Sequence, residues 1–148
     1  LEELNSLENL KFEKLERQLD FPRQRIDYSE TIMKKLKIFF SSSHITNSLG
    51  KKFDRELTFE SVDVWFDSKG YTLAPHTDDS RIKLAIQIYL GTGDNIGTCL
   101  YDGQENIIET FQYKFNCGYA LLNNAVSLHG TTGVVDNDLR KSLYVRYQ

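Results

Sequence analysis

The sequence is poor in the features that mark secreted and membrane proteins. It contains two cysteines, two prolines and one tryptophan in 148 residues. Because Cys99 and Cys117 are isolated and lack CxxC spacing, they predict reduced thiols rather than a disulfide framework or a zinc site. No apolar run approaches the length of a membrane span, and no signal-peptide pattern is present. We therefore expect a cytoplasmic protein without a membrane partner.

An excess of positive charge is also missing. The formal net charge is −3, with 40% hydrophobic and 26% charged residues, which is ordinary for a soluble globular protein. We therefore expect no nucleic-acid partner. The length suits a single domain, residues 1–148. Short basic clusters are interpreted as solvated helix faces: Lys34, Lys35, Lys37, Lys51, Lys52 and Arg55.

Residues 1–58 have a helical pattern. Asp27 and Glu30 are spaced as a capping box at the start of a helix. Three apolar stripes have helical spacing. One precedes the capping box and two follow it: Phe12, Leu15 and Leu19; Ile32, Met33, Leu36, Phe39 and Phe40; Ile45, Leu49 and Phe53. These helices carry no chemical motif, so we expect them to support the rest of the domain.

Residues 59–148 change to short β-rich runs separated by Gly, Asn and Asp clusters. Eight such runs without helical periodicity predict an all-β sandwich or barrel, and eight strands suit a jelly roll covered on one face by helices. The runs are FESVDVWFD, YTLAPHTD, IKLAIQIYLG, GTCLYD, IIETFQYK, GYALLNN, VSLHGTTGVV and RKSLYVRY.

Alternation within two of these runs predicts which side chains face inward. In the run that begins at Ile82, the apolar face should meet the helices, whereas Gln87 and Tyr89 should look into the barrel. In the last run, the polar and charged face opposes Lys141, Leu143 and Val145. That face consists of Arg140, Ser142, Tyr144 and Arg146.

Three residues could converge on one metal ion. His76 and Asp78 are two positions apart on an extended chain and point the same way, and His129 lies on a later strand. Two imidazoles and one carboxylate form the facial triad of non-haem Fe(II) sites, which leaves positions open for other ligands. Taken singly, His76 could instead be a turn histidine bonded to Asp78, and His129 a satisfied core or loop histidine.

The order of these residues resembles a known family. The pair His76-x-Asp78, then His129 51 residues later, then Arg140-x-Ser142 after 11 more, is similar to the 2-oxoglutarate- and Fe(II)-dependent oxygenases. The stretch GYTLAPHTDD followed by LAIQIYLG resembles the prolyl-hydroxylase-like branch. The resemblance covers residues 60–148 and implies a double-stranded β-helix, the cupin-like jelly roll.

The resemblance also implies site residues. His76, Asp78 and His129 match the iron ligands, and Arg140 matches the basic residue that binds the distal carboxylate of 2-oxoglutarate, assisted by Tyr89 and Ser142. The sequence departs from the prolyl-hydroxylase pattern in having Arg140 where lysine is common and Trp65-Phe66 where a tyrosine is expected. Weaker candidates are Gln87 and Arg146 for the co-substrate, and Trp65 and Asn123 for the substrate.

The implied reaction is hydroxylation of a C–H bond coupled to decarboxylation of 2-oxoglutarate to succinate, with O2 consumed and ascorbate as a stimulant. The substrate would be a peptide, prolyl peptides included, or a small molecule. Two alternatives remain open. One is a cupin-like metal-binding protein that acts without 2-oxoglutarate, and the other is a non-catalytic β-barrel binding module.

Overall fold

Two antiparallel sheets and two helices make up the structure, a computed structural model that describes residues 23–26, 29–94, 96–134 and 139–148. The helices are α1 (Glu30–Ser41) and α2 (Ser43–Phe53). The strands are β1 (Arg23–Arg25), β2 (Phe59–Asp67), β3 (Leu73–His76), β4 (Leu84–Tyr89), β5 (Ile96–Tyr101), β6 (Ile107–Gln112), β7 (Gly118–Leu122), β8 (His129–Thr131) and β9 (Arg140–Tyr147). The major sheet has the order β1-β2-β9-β4-β7, and the minor sheet has the order β3-β8-β5-β6.

The mainly β architecture expected of residues 59–148 is present, and a strand overlaps each of the eight runs. The described residues contain a ninth strand, β1, which lies in the region whose pattern is helical. This strand adds to the edge of the major sheet, where Arg23 pairs with Asp67 and Arg25 with Trp65. Its conformation is therefore set by a partner more than 40 residues away in sequence, which local periodicity does not encode.

Helix α1 differs in two details from the prediction. It begins at Glu30 with Ser29 at the N-cap position, and the Ser29 side chain makes no capping hydrogen bond; Asp27 lies outside the described residues. Phe39 is not part of the buried stripe, because it is 53% exposed whereas Phe40 is 7% exposed. The stripe of Phe12, Leu15 and Leu19 also lies outside the described residues.

The main hydrophobic core lies between the helices and one face of the major sheet. Phe40 from α1 packs there with buried side chains of β2, β4 and β9, and the predicted stripe of α2 joins it. The predicted alternation in β4 places Leu84 at the centre of this core and Ile86 and Ile88 at its margin. Ile82 is also buried but lies outside this cluster of described residues. The helices thus cover the outer face and leave the inner face of the sheet to the site.

The inner face of the major sheet looks toward the minor sheet. In β9, Leu143 and Val145 belong to the helix-side core, so Arg140, Ser142 and Tyr144 point the other way, as their alternation predicts. Two facing antiparallel sheets of this kind are consistent with a jelly roll.

The features that bear on localisation are few. Both cysteines are free thiols, Cys99 buried and Cys117 exposed. In the part of the chain that the structure describes, neither helix is long and apolar enough to cross a membrane.

Candidate metal centre and its cavity

The three predicted metal ligands meet at the inner face of the minor sheet. His76 and His129 are register partners on the neighbouring strands β3 and β8, and Asp78 follows in the loop after β3. One ligand atom from each residue lies within 4.8 Å of the others. The two imidazole centroids are 4.5 Å apart, and Nε2 of His129 is 3.9 Å from Oδ1 of Asp78. The strand pairing therefore brings together two histidines that the sequence separates by 53 positions.

Both histidines are oriented by the backbone. Nδ1 of His76 lies 2.9 Å from the carbonyl oxygen of Ala74, and Nδ1 of His129 lies 3.1 Å from that of Ser127. A carbonyl can only accept, so Nδ1 carries the proton in each neutral ring and Nε2 keeps its lone pair. Burial lowers the pKa of His129, against the opposing effects of its bond to Ser127 and of nearby Asp78. Burial therefore favours the neutral form that binds a metal.

Asp78 is held by a hydroxyl that the sequence did not single out. The Tyr144 hydroxyl lies 3.0 Å from Oδ1 and 2.9 Å from Oδ2 of the carboxylate and donates to it. Burial, reinforced by the charge of Asp78, raises the pKa of Tyr144, so the hydroxyl keeps its proton. This contact fixes the orientation of the Asp78 carboxylate.

The loop that carries Asp78 is fixed from its other side by Asn123. Nδ2 of Asn123 lies within hydrogen-bonding reach of the carbonyls of Asp78, Asp79 and Ile82 at 3.0–3.2 Å. Asn123 does not line the cavity next to the triad. The structure therefore places this substrate-binding candidate outside the cavity, where its amide nitrogen contacts backbone carbonyls and its Oδ1 accepts from the Ser127 hydroxyl at 3.3 Å.

The donor set fits a divalent transition metal. Two imidazole nitrogens and one carboxylate provide three ligands, one fewer than a closed tetrahedral site has, so this set leaves positions open on a bound ion. A cavity of about 150 Å³ opens beside the three ligands. Its size is below the roughly 300–1,000 Å³ typical of cofactor pockets, so it suits a small ligand.

Arg140 lies at the cavity, as predicted, but its guanidinium is largely engaged. Nε and Nη2 donate to Oδ2 of Asp67 at 3.1 and 2.7 Å, and Nη1 donates to the Gly97 carbonyl and the Thr131 hydroxyl at 3.1 and 3.0 Å. Arg140 is 1% exposed and Asp67 is fully buried. These four hydrogen bonds leave at most one of the N–H donors of a guanidinium for a ligand.

The other co-substrate candidates differ in position. Tyr89 is fully buried outside the cavity lining, and its hydroxyl accepts a 2.7 Å hydrogen bond from the backbone N–H of Thr98. Ser142 is also fully buried, and its hydroxyl has no hydrogen-bond partner among the described residues. Gln87 lines the cavity, where its Oε1 accepts from Thr98 and Tyr119. Only Gln87 of these three reaches the cavity surface.

Two further candidates line the cavity in different roles. Arg146 donates to Asp63 at 3.0 Å and to Ser61 at 2.9 Å, so it is held in an ion pair at the rim. Trp65 also lines the cavity, and the guanidinium carbon of Arg23 lies 5.0 Å from its ring centroid.

Three residues at the site were missed by sequence reasoning. Tyr144 carried a usable signal, because it alternates with Arg140 and Ser142 on the inward face of β9. Asp67 and Arg23 carried none, since each comes to the cavity through strand pairing with a distant part of the chain. Arg23 in addition lies in a segment whose pattern predicted a helix.

Comparison with known proteins agrees with this geometry at the level of the fold. No family model and no curated protein matches the sequence. The structure superposes on a 2OG-Fe(II) oxygenase-family oxidoreductase from Burkholderia pseudomallei with a TM-score of 0.65 and 16% identity, over 78% of this chain and 57% of that one. It superposes on a prolyl-4-hydroxylase from Pseudomonas putida with a TM-score of 0.57 and 16% identity, over 85% of this chain and 70% of that one. The chain therefore has the fold of 2OG-Fe(II) oxygenases, including a prolyl hydroxylase, and spans little more than half of the first.

Proposed function

We propose that this chain is an Fe(II)- and 2-oxoglutarate-dependent dioxygenase that hydroxylates a C–H bond of a peptide or a small molecule. The observation that carries the proposal is the convergence of His76, Asp78 and His129 within 4.8 Å at the edge of a small cavity. The likeness of the fold to oxygenases supports the same reaction class.

The three ligands would hold the metal through Nε2 of both histidines and a carboxylate oxygen of Asp78. Iron with 2-oxoglutarate and O2 supplies oxidation of a substrate C–H to C–OH, with succinate and CO2 as the other products. The chain itself fixes the ligand geometry: the Ala74 and Ser127 carbonyls set the imidazole tautomers, and Tyr144 orients the carboxylate. Ascorbate would act as an added reductant that keeps the iron in its ferrous state.

The co-substrate would extend from the metal toward Arg140. Arginine suits this place because its guanidinium stays charged when buried and forms charge-assisted hydrogen bonds to a carboxylate. Among the substrate-binding candidates, Trp65 is favoured because its ring lines the cavity.

One observation favours a different function. Because Arg140 is already bound to Asp67, Gly97 and Thr131, the site could belong to a metal-binding protein of the same fold that acts without 2-oxoglutarate. This alternative keeps the three metal ligands but does not use 2-oxoglutarate. An assay for succinate, the product of 2-oxoglutarate decarboxylation, therefore separates the two functions.

The test is succinate formation from 2-oxoglutarate with Fe(II), ascorbate and O2, over a panel of prolyl peptides and small molecules. We expect succinate above the level seen with Asp78→Ala, which removes one metal ligand. For the substrate that gives the highest rate, the amount of hydroxylated product should equal the amount of succinate. Equal succinate in the two proteins over the whole panel would reject the dioxygenase, and metal binding without succinate would support the alternative.

A further inference from the structure

The edge strand β1 brings a second arginine to the end of the cavity where Arg140 lies. Nε of Arg23 donates to Oδ1 of Asp67 at 2.8 Å, and the residue lines the same cavity as Arg140 and the triad. Its guanidinium carbon lies 5.0 Å from the ring centroid of Trp65 and 4.6 Å from that of Tyr71. The side chain is 26% exposed, so it is held in place yet remains accessible.

Asp67 is shared between the two arginines. Its Oδ1 accepts from Arg23, and its Oδ2 accepts from Nε and Nη2 of Arg140. The carboxylate is fully buried, and one carboxylate cannot balance two guanidiniums. Asp67 therefore sets the direction of both side chains at one end of the cavity without neutralising both.

The supply of donors differs between the two arginines. Arg140 already uses at least four of its five N–H donors. Binding a carboxylate through both of its oxygens requires two donors. For Arg23, residues 23–26, 29–94, 96–134 and 139–148 provide a hydrogen-bond partner to Nε alone. Its Nη1 and Nη2 groups therefore remain able to donate to a ligand. Stacking against Trp65 and Tyr71 restricts the guanidinium before a ligand arrives.

We infer that Arg23 is a binding residue for the distal carboxylate of the dicarboxylate co-substrate, acting beside Arg140. The inference rests on the proposed function, because it assumes that 2-oxoglutarate enters this cavity. Arg140 supplies buried positive charge at this end of the cavity, and Arg23 supplies N–H donors from the side of β1. Asp67 is the positioning residue that holds both arginines at this end of the cavity.

The experiment is calorimetric titration of 2-oxoglutarate into the full chain loaded with Zn(II), which we expect the triad to bind without turnover. Arg23→Gln should weaken binding about ten-fold, the size expected for losing a charge-assisted hydrogen bond. Arg23→Lys keeps the positive charge but lacks the paired N–H donors of a guanidinium. Its affinity for 2-oxoglutarate should therefore lie between those of the wild type and Arg23→Gln. The matched control is Arg25→Gln, on the same strand but paired with Asp63 and outside this cavity, and it should bind like the wild type.

A second ligand shows which end of the co-substrate Arg23 contacts. In 2-oxopentanoate a methyl group replaces the distal carboxylate, so its affinity should be the same for wild type and Arg23→Gln. Unchanged 2-oxoglutarate affinity in Arg23→Gln, or an equal loss for both ligands, overturns the inference and leaves the proposed function standing. Failure of the Zn(II)-loaded wild type to bind 2-oxoglutarate overturns both. Melting temperatures of all three variants show whether each is folded.

Discussion

At the scale of single residues, the site depends on a few side chains that orient others. Asp67 holds two arginines, Tyr144 holds Asp78, and the Ala74 and Ser127 carbonyls hold the two histidines. Such supporting contacts fix the geometry of a metal site and tune the basicity of its ligands. Each can be removed by a substitution that changes few atoms.

Asp67→Asn should destabilise the protein strongly. The substitution keeps the shape of the side chain but removes the charge next to Arg140, which is 1% exposed. Removing one partner of a buried ion pair lowers the free energy of unfolding by about 3–5 kcal/mol, because the other charge stays buried without compensation. Urea unfolding of the metal-free protein measures the loss. Asp79→Asn is the control: Asp79 pairs with Arg81 on the exposed surface and should have no measurable effect. Equal stability of the two variants would contradict the role given to Asp67.

Tyr144→Phe should weaken metal binding while leaving the fold intact. It removes only the hydroxyl that donates to Asp78, and loss of a supporting partner of this kind costs about 10–100-fold in metal affinity. Competition with a chromophoric chelator measures the affinity for Zn(II). Tyr101→Phe removes the hydroxyl of another tyrosine, outside the cavity lining, and should bind Zn(II) like the wild type. If both variants bind Zn(II) equally well, Tyr144 does not orient the ligand.

At the scale of elements, strands were easier to predict than helix faces. A strand alternates strictly, so the sequence alone placed Leu84 outward and Gln87 inward on β4. A helix turns by about 100° per residue, so neighbouring apolar residues such as Phe39 and Phe40 both fit a stripe. Only packing against the sheet decides between them, and it buries Phe40.

The two phenylalanines of α1 provide a test of that choice. Phe40→Ala removes a buried ring from the core between α1 and the major sheet and should cost about 3–5 kcal/mol. Phe39→Ala should change the free energy of unfolding by less than about 0.5 kcal/mol, since the ring is 53% exposed. Denaturant unfolding of the two variants measures both values. The reverse order would mean that α1 is rotated about its axis relative to the sheet.

The strand pairings that build the site lay beyond sequence reasoning. His76 and Asp78 were predictable because they are two residues apart on one extended segment. The meeting of Arg23, Asp67 and Arg140 depends instead on β1 and β9 both pairing with β2, which local pattern does not specify. Order and spacing were therefore enough to predict that His76, Asp78 and His129 converge and that Arg140 faces inward, but not to predict the partners of Arg140.

At the scale of the whole molecule, the helices support one face of the major sheet and the site lies on the other. The candidate metal ligands come from β3, β8 and the loop after β3, whereas Arg140, Gln87 and Tyr144 come from the major sheet. The cavity is therefore walled by both sheets, so a ligand bound in it would contact both.

Metal binding should raise the melting temperature of the protein. A ligand that binds only the folded state stabilises it by about 2.7 kcal/mol at 100 times its dissociation constant. Thermal unfolding with Zn(II), and again after addition of a chelator, measures the shift and its reversal. In His129→Ala the shift should be much smaller, whereas His44→Ala, which alters an exposed histidine of α2, should keep it. A full shift in His129→Ala would remove His129 from the site.

The position of Trp65 has an optical consequence. It is the one tryptophan of the chain, and its ring lies at the cavity with the guanidinium of Arg23 5.0 Å away. Indole emission from the native protein therefore arises from a single known place, without background from other tryptophans. A paramagnetic ion at the triad would quench this emission. A ligand that moves Arg23 would shift the wavelength of maximum emission. The chain thus carries an intrinsic fluorophore with which occupancy of the cavity can be followed in real time, without a label.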